Sequence, residues 1–223
     1  MAATDPRSAL AALCERGVEW RIDTISRLPD AAELRPAAVL VLFGVLDSVP
    51  AQANGPVARD LDVLLLRRAA TLKSHAGQIA FPGGRLEVSD SGPIAAALRE
   101  AAEETGVDPA GIDPLGVLPA MPVPVSRHLV TPVPAWWTRP SEVAAVDHDE
   151  SVDVFRVPVA DLLDPANRGN TVHAFGGRTY RSPAFTVDGR VVWGVTALVL
   201  SRMFDELGWA EPWDAARVVH PDD

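Results

Sequence analysis

The chain has 223 residues, 48% of them hydrophobic, and a formal net charge of −10 with a pI near 4.9. That length suits one domain of the larger kind with room for a sizeable core, and the charge argues against nonspecific nucleic-acid binding. A single cysteine, Cys14, excludes an internal disulfide, and no apolar run approaches the roughly 18 to 20 residues of a membrane span.

The opening residues, MAATDPRSALAALCERGVEW, lack the basic-then-apolar order of a secretory leader, so a reducing cytoplasm is the expected location. Residues 8–18 predict a short helix capped by Ser8. Cys14 lies within it and reads as a small packing residue rather than a nucleophile. Pro29 to Pro36 predicts a loop. Residues 37–46, AAVLVLFGVL, are a continuous apolar run and predict a buried strand. The polar stretch 47–60, with its proline and glycine, predicts an exposed connection. Leu61 to Arg68 predicts a second strand, antiparallel to the first because the link is short. Alternation puts Arg67 and Arg68 on opposite faces. Lys73 to Gln78 reads as a turn, in which His75 is either structural or lines a site.

Residues 77–107, GQIAFPGGRLEVSDSGPIAAALREAAEETGV, carry the strongest local signal. Pro93 suits a first helical turn, where its missing N–H has no partner to lose. Gly106 suits the position just past the helix end. The residues between are strong helix formers. Ile94, Leu98, Ala101 and Ala102 recur at helical spacing and are expected to face a core. Glu100, Glu103 and Glu104 stand at i, i+3 and i+4 and are expected to share one face. Like charges at that spacing cost about 0.2–0.5 kcal/mol per pair. The negative end of the helix dipole disfavours them further. Either this face is simply solvated, with Arg99 as a partial partner, or a positive ligand offsets the repulsion. A hard divalent cation with oxygen ligands fits best. Gly83 and Gly84 let backbone come close to an anion or a metal.

Fifteen residues after Gly84 comes Arg99-Glu100-Ala101-Ala102-Glu103-Glu104-Thr105-Gly106-Val107. This run resembles the second half of the Nudix box, a glycine-led loop followed by R-E-U-x-E-E-x-G-U, where U is a bulky apolar residue. Ala101 is small for the first U. The loop is one residue longer than the usual box, and Asp90 stands where a Glu is usual. Residues 64–84, LLLRRAATLKSHAGQIAFPGG, resemble the signature of the coenzyme A pyrophosphatase branch, L-L-T-x-R-[S/A]-x3-R-x3-G-x3-F-P-G-G. Leu66 replaces the Thr and Lys73 replaces the second Arg. Lys keeps the charge but loses bidentate phosphate recognition. The resemblance runs from about residue 36 to about residue 207.

Beyond the helix, Ile112 to Leu118 predicts a strand and Met121 to Val125 an extended loop, because proline disfavours helix and donates no ladder bond. Leu129 to Trp137 resembles the V-T-P-V strand of the same branch. Trp136 and Trp137 point to opposite sides, one expected in the core and one partly exposed. The acidic stretch from Glu142 predicts a loop entering a strand at Val152 to Val157. Val159 to Leu163 predicts a helical turn, and 164–170 a loop. Thr171 to Phe175 and Arg178 to Val187 predict a hairpin about Gly176-Gly177, with Asp188-Gly189 as a second turn into Arg190 to Trp193. Residues 192–197 resemble the V-W-G-x-T-A segment of the branch. They open a last helix, Thr196 to Leu207, with Leu198, Val199, Met203 and Leu207 facing the sheet. Residues 209–223 read as a tail.

The resemblance implies an α/β Nudix fold: a mixed β-sheet between helices, an α/β/α sandwich, with a loop-helix-loop catalytic motif. It implies one domain over 1–223, with a short N-terminal helix and a C-terminal tail outside the core. The implied activity is cleavage of the diphosphate linkage of coenzyme A or a derivative, giving adenosine 3′,5′-bisphosphate and 4′-phosphopantetheine. Mg²⁺ or Mn²⁺ is the implied cofactor, held by Glu100, Glu103, Glu104 and the main-chain carbonyl of Gly84. Glu100 or Glu150 is the expected base, and Arg99 is expected to orient the glutamates. Arg68, Lys73 and Arg85 are the expected substrate-binding cations. The expected partner is a small diphosphate molecule, not nucleic acid or membrane, and a homodimer is one assembly open to the chain. One alternative is a Nudix pyrophosphatase for NADH, a nucleotide sugar or another nucleotide derivative. The other is a non-catalytic Nudix-like binding module, which would be expected to lack at least one box glutamate; all three are present here.

Overall fold

The computed structural model describes residues 5–20, 33–45, 60–70, 76–146, 151–175 and 178–221. Lys73, His75, Glu150, the turn at Gly176-Gly177 and most of the 47–60 connection lie outside the described residues.

Helix α1 spans Pro6–Arg16, and its cap is Asp5 rather than Ser8. The Asp5 carboxylate accepts from both the N–H and the hydroxyl of Ser8. Pro6 explains the shift, because its fixed φ and missing N–H suit the first helical position.

Strand β1, Arg35–Val45, is the long apolar run expected near the start of the chain. On one side it runs parallel to β7, His128–Trp137. On the other it meets β2, Leu61–Arg68, antiparallel as expected, but only where Phe43–Val45 face Leu61–Val63. The two strands then diverge, and a short hairpin fills the wedge. Its first arm, β3, Ile79–Ala80, pairs with β2; its second, β4, Gly83–Arg85, pairs with β1. The hairpin tip points into the narrow end, where the Leu40 N–H donates to the Pro82 carbonyl. Arg67, Ile79, Arg85 and Ala37 consequently stand at the wide mouth.

The rest of this sheet flanks these strands. Ile112–Pro114 (β5) and Met121–Val123 (β6) border β7. Ser151–Pro158 (β8) borders β2. A separate antiparallel sheet contains Arg168–Phe175 (β9), Arg178–Val187 (β10) and Arg190–Val192 (β11).

Helices cover both faces of the large sheet. Val41, Phe43, Val63 and Leu65 pack with α1, with α3 (Val159–Leu163), with α4 (Gly194–Leu207) and with β10. Leu40, Leu42, Leu64 and Val133 pack under α2, Pro93–Thr105. Each fully buried Leu or Phe of this kind contributes about 1.5–3 kcal/mol relative to exposure. The expected mixed sheet between helices is therefore present.

Several boundaries differ from the sequence reading. The strand expected at 112–118 stops at Pro114. Leu115 and Leu118 still donate to the carbonyls of Pro134 and Pro132, but those prolines have no N–H to return. Met121 to Val123 is a strand, not a loop; Pro122 is tolerated because β6 is at an edge. Arg168 to Asn170 open β9 instead of closing a loop. In α4 the buried set includes Leu200 and Phe204, whereas Leu198 and Leu207 are only partly buried. The tail is not free: Trp209 and Val219 are buried, and Val219 N–H donates to Asn170 O. Asp188 and Gly189 both have positive φ, as the expected tight turn requires. Trp137 is buried and Trp136 partly so, as expected.

Candidate active site

Helix α2 starts at Pro93 and ends where Gly106 turns left-handed, at φ 68°. Its buried face differs from the expected one. Ala96, Ala97 and Ala101 are buried, whereas Ile94 is 37% exposed. The stripe 97, 101, 104 is one helical row, and its small residues let the helix lie close to the sheet. That row carries Glu104 inward. Glu104 is only 2% exposed, and its Oε2 accepts from the Gly83 N–H at 2.8 Å. The Glu103 side chain, by contrast, is 59% exposed, and Glu100 lies between these extremes. The three glutamates thus do not share one solvated face.

Arg99 ties the box together. Its Nε and Nη2 donate to the two carboxylate oxygens of Asp90 at 3.1 and 2.9 Å. Nη2 also donates to the Arg85 carbonyl at 3.1 Å. Nη1 donates to Glu100 Oε1 at 3.1 Å and to Glu103 Oε2 at 3.0 Å. Asp90, the residue that departs from the usual box, anchors this guanidinium and also accepts from the Glu87 N–H. Hydrogen bonds from Arg99, and then from Glu87, hold the Asp90 carboxyl below its ordinary range. The bonds to Asp90 hold the guanidinium of Arg99 more firmly protonated than usual.

The glycines are needed for this approach. A Cβ on Gly84 would lie 2.5 Å from Glu100 Oε1 and 2.6 Å from Oε2. A Cβ on Gly83, whose φ is 153°, would lie 2.3 Å from the Ala38 carbonyl oxygen. The cradle for the Glu100 carboxylate therefore exists only because position 84 has no side chain.

Among the described residues, no three of His, Cys, Asp and Glu converge closely enough to enclose a metal ion. The donor chemistry nevertheless fits a hard divalent cation. Two carboxylates meet at one cationic nitrogen, one of them lies on the Gly84 backbone, and every donor is oxygen.

Ser151 is a neighbour the sequence reading missed. It is buried, and its hydroxyl donates to the Glu104 carbonyl at 3.3 Å. Val146 N–H donates to the same carbonyl and Ala144 N–H to that of Thr105. These contacts satisfy helix-end carbonyls that would otherwise lack partners. No local signal marks them, because they join segments about 40 residues apart. Arg68 is the cross-strand neighbour of Ser151, and its Nε is buried without an acceptor among the described residues. Arg85 is exposed and its Nε donates to His128 Nε2 at 3.4 Å. Lys73 and Glu150 lie outside the described residues.

A NUDIX domain model matches residues 50–175. The uncharacterized Nudix hydrolase NudL of Cronobacter sakazakii is 37% identical over 159 residues, covering 69% of this chain and 80% of that protein. NudL of Citrobacter koseri is 35% identical over 147 residues, covering 66% and 75% respectively. Among solved structures, a MutT/nudix family protein from Enterococcus faecalis aligns over 92% of this chain and 75% of its own, at 15% identity and a TM-score of 0.48.

Proposed function

This chain belongs to the Nudix family and is a Nudix hydrolase, and from that premise we propose that it cleaves the diphosphate linkage of coenzyme A or its derivatives. The products would be adenosine 3′,5′-bisphosphate and 4′-phosphopantetheine. The observation that supports the chemistry is the meeting of Glu100 and Glu103 at Arg99 Nη1, with Glu100 seated on Gly84.

In this reading Glu100, Glu103, Glu104 and the Gly84 carbonyl hold Mg²⁺ or Mn²⁺. Such a cation supplies charge neutralisation at the phosphate oxygens. The protein's own groups position the reactants. Asp90 fixes Arg99, and Arg99 fixes two of the carboxylates, so their geometry is set before substrate arrives. Glu104 pins the Gly83 N–H and so fixes the loop against the helix. A water oxygen adds to one phosphorus, and the bridging P–O bond breaks. The water proton passes to a carboxylate, Glu100 or Glu150, and the leaving phosphate departs with the bridging oxygen. Arg68, Lys73 and Arg85 counter the substrate's charge. The substrate assignment draws on the run from Leu64 to Gly84, and the proposed setting is the cytoplasm. No helix among the described residues is long and apolar enough to cross a membrane.

Mass spectrometry of products after incubation with coenzyme A and Mg²⁺ tests the proposal. The two named products are expected. Intact coenzyme A alongside brisk hydrolysis of NADH or a nucleotide sugar would defeat the substrate assignment and leave the diphosphatase chemistry.

A further inference from the structure

The sheet face opposite α2 has its own charge pattern at the wedge mouth. Strand phase fixes which residues share it. Val41 and Phe43 on β1, and Val63 and Leu65 on β2, belong to the core under α4. Arg35 and Arg67 are in phase with them, at steps of two. Paired residues share a face, which adds Arg85, opposite Ala37, and His128, beside Arg35. Ile79, opposite Arg67, is buried in that same core. Four strands therefore bring Arg35, Arg67, Arg85 and His128 to one side of the mouth, while Glu100 occupies the other side against Gly84.

These arginines differ from the others nearby. Arg99, which donates to the Arg85 carbonyl, Arg127, whose carbonyl accepts from the Arg35 N–H, and Arg190 each pair with a carboxylate. Among the described residues the guanidiniums of Arg35 and Arg67 have no ion pair, and Arg85 donates to an imidazole nitrogen instead of an acid. A chain with 30 acidic residues against 20 basic ones has carboxylates to spare for pairing. Asp153, opposite Arg67 on β8, shares the face but is paired with Arg190, so among the described residues three further guanidiniums stand there without an ion pair and leave a local positive potential inside an acidic protein. The start of α4 adds to it. Thr196 Oγ1 donates to the Ile79 carbonyl at 3.1 Å, which places the helix N-terminus behind the mouth. That terminus has no side-chain cap and no acid in its first turn.

We propose that this face binds a phosphomonoester of the substrate, distinct from the diphosphate that is cleaved. The inference rests on the diphosphatase reading above. A phosphomonoester brings about −1.5 to −2 charges and three acceptor oxygens. Guanidiniums match such a group with paired N–H donors. The arrangement keeps the extra anion away from Glu100 by placing it on the opposite face of the β1–β4 pair. Arg35, Arg67 and Arg85 are its binding residues, and His128 positions Arg85.

Calorimetric binding of adenosine 3′,5′-bisphosphate and of AMP to the metal-free full chain tests this without turnover. Wild type is expected to prefer the bisphosphate by about tenfold or more, the scale of one charge-assisted contact. Arg35→Gln and Arg85→Gln, both at exposed positions, are each expected to lose most of that preference while unfolding at the wild-type temperature. Equal wild-type affinity for the two nucleotides overturns the proposal, and so does an undiminished preference in both variants. A wild type that discriminates the nucleotides yet leaves coenzyme A intact supports the face and defeats only the substrate assignment.

Discussion

The two ends of the β1–β2 wedge treat a carboxylate in opposite ways. At the mouth, Asp90 receives two hydrogen bonds from Arg99 and one from the Glu87 N–H, and its carboxyl is held below the ordinary range. At the narrow end, Asp62 sits opposite Gly44, 1% exposed, with neither oxygen hydrogen-bonded among the described residues. Burial, against a downward pull from Arg156 and with a further upward push from Asp60 and Asp161, carries its carboxyl up to about 7. The same residue type thus ends as an anchored anion in one place and as a proton-holding acid in the other. What differs is the supply of donors, since a buried charge is tolerated only with partners.

The largest way to break the comparison is at the mouth. Glu103→Gln and Glu104→Gln each remove a box charge while keeping an acceptor oxygen. Turnover at saturating Mg²⁺ is expected to fall on the order of a hundredfold or more, the scale at which preorganised charged groups act. Far-ultraviolet circular dichroism should be unchanged. Near-wild-type rates in either variant would remove the box from the chemistry. Asp90→Asn should have a smaller effect, about tenfold in kcat, because Arg99 loses its anchor but keeps Glu100 and Glu103. A kcat equal to wild type would show that Arg99 needs no anchor.

Asp62→Asn sharpens the contrast from the other end. The folded carboxyl titrates near 7, against an ordinary value of 3.8. Between those values the folded chain binds more protons than the unfolded one, so stability falls as pH rises and levels off above the folded value. Removing the charge should therefore stabilise at pH 8 and do little at pH 4. The gain is on the order of 2–4 kcal/mol at most, or roughly 5–10 °C in melting temperature. Parallel melting curves for the two proteins at both pH values would refute the buried-acid account. The smallest expected effect is a rise of about 2–4 °C in melting temperature on adding Mg²⁺ well above its dissociation constant. Glu100→Gln should blunt that rise, and an identical rise in both proteins would place the ion elsewhere.

Much of the box is legible because its signals are local. Pro93 and Gly106 mark the ends of α2, and Asp188-Gly189 marks a tight turn, through backbone preferences that act within a few residues. The direction of Glu104 is not legible in the same way. Helical spacing groups it with Glu100 and Glu103, and only the alanine row pressing on the sheet turns it toward Gly83.

The sequence by itself determines which residues are available: an acid-rich helix end, a glycine pair before it, and arginines at strand ends. It also determines local geometry wherever proline, glycine or an Asp-Gly pair restricts φ and ψ. Tertiary structure decides which of these residues meet. Ser151 reaches the Glu104 carbonyl from 47 positions away, and Arg35, Arg67, Arg85 and His128 share a face only through the pairing of four strands. The fate of Asp62 was equally closed to a local reading: an acid one residue into an apolar strand has no signal for whether a donor will face it. The physical reason is range. Helix caps and turns are fixed by interactions over three or four residues, whereas burial, strand register and the pairing of charges depend on contacts that exist only after the chain has closed on itself.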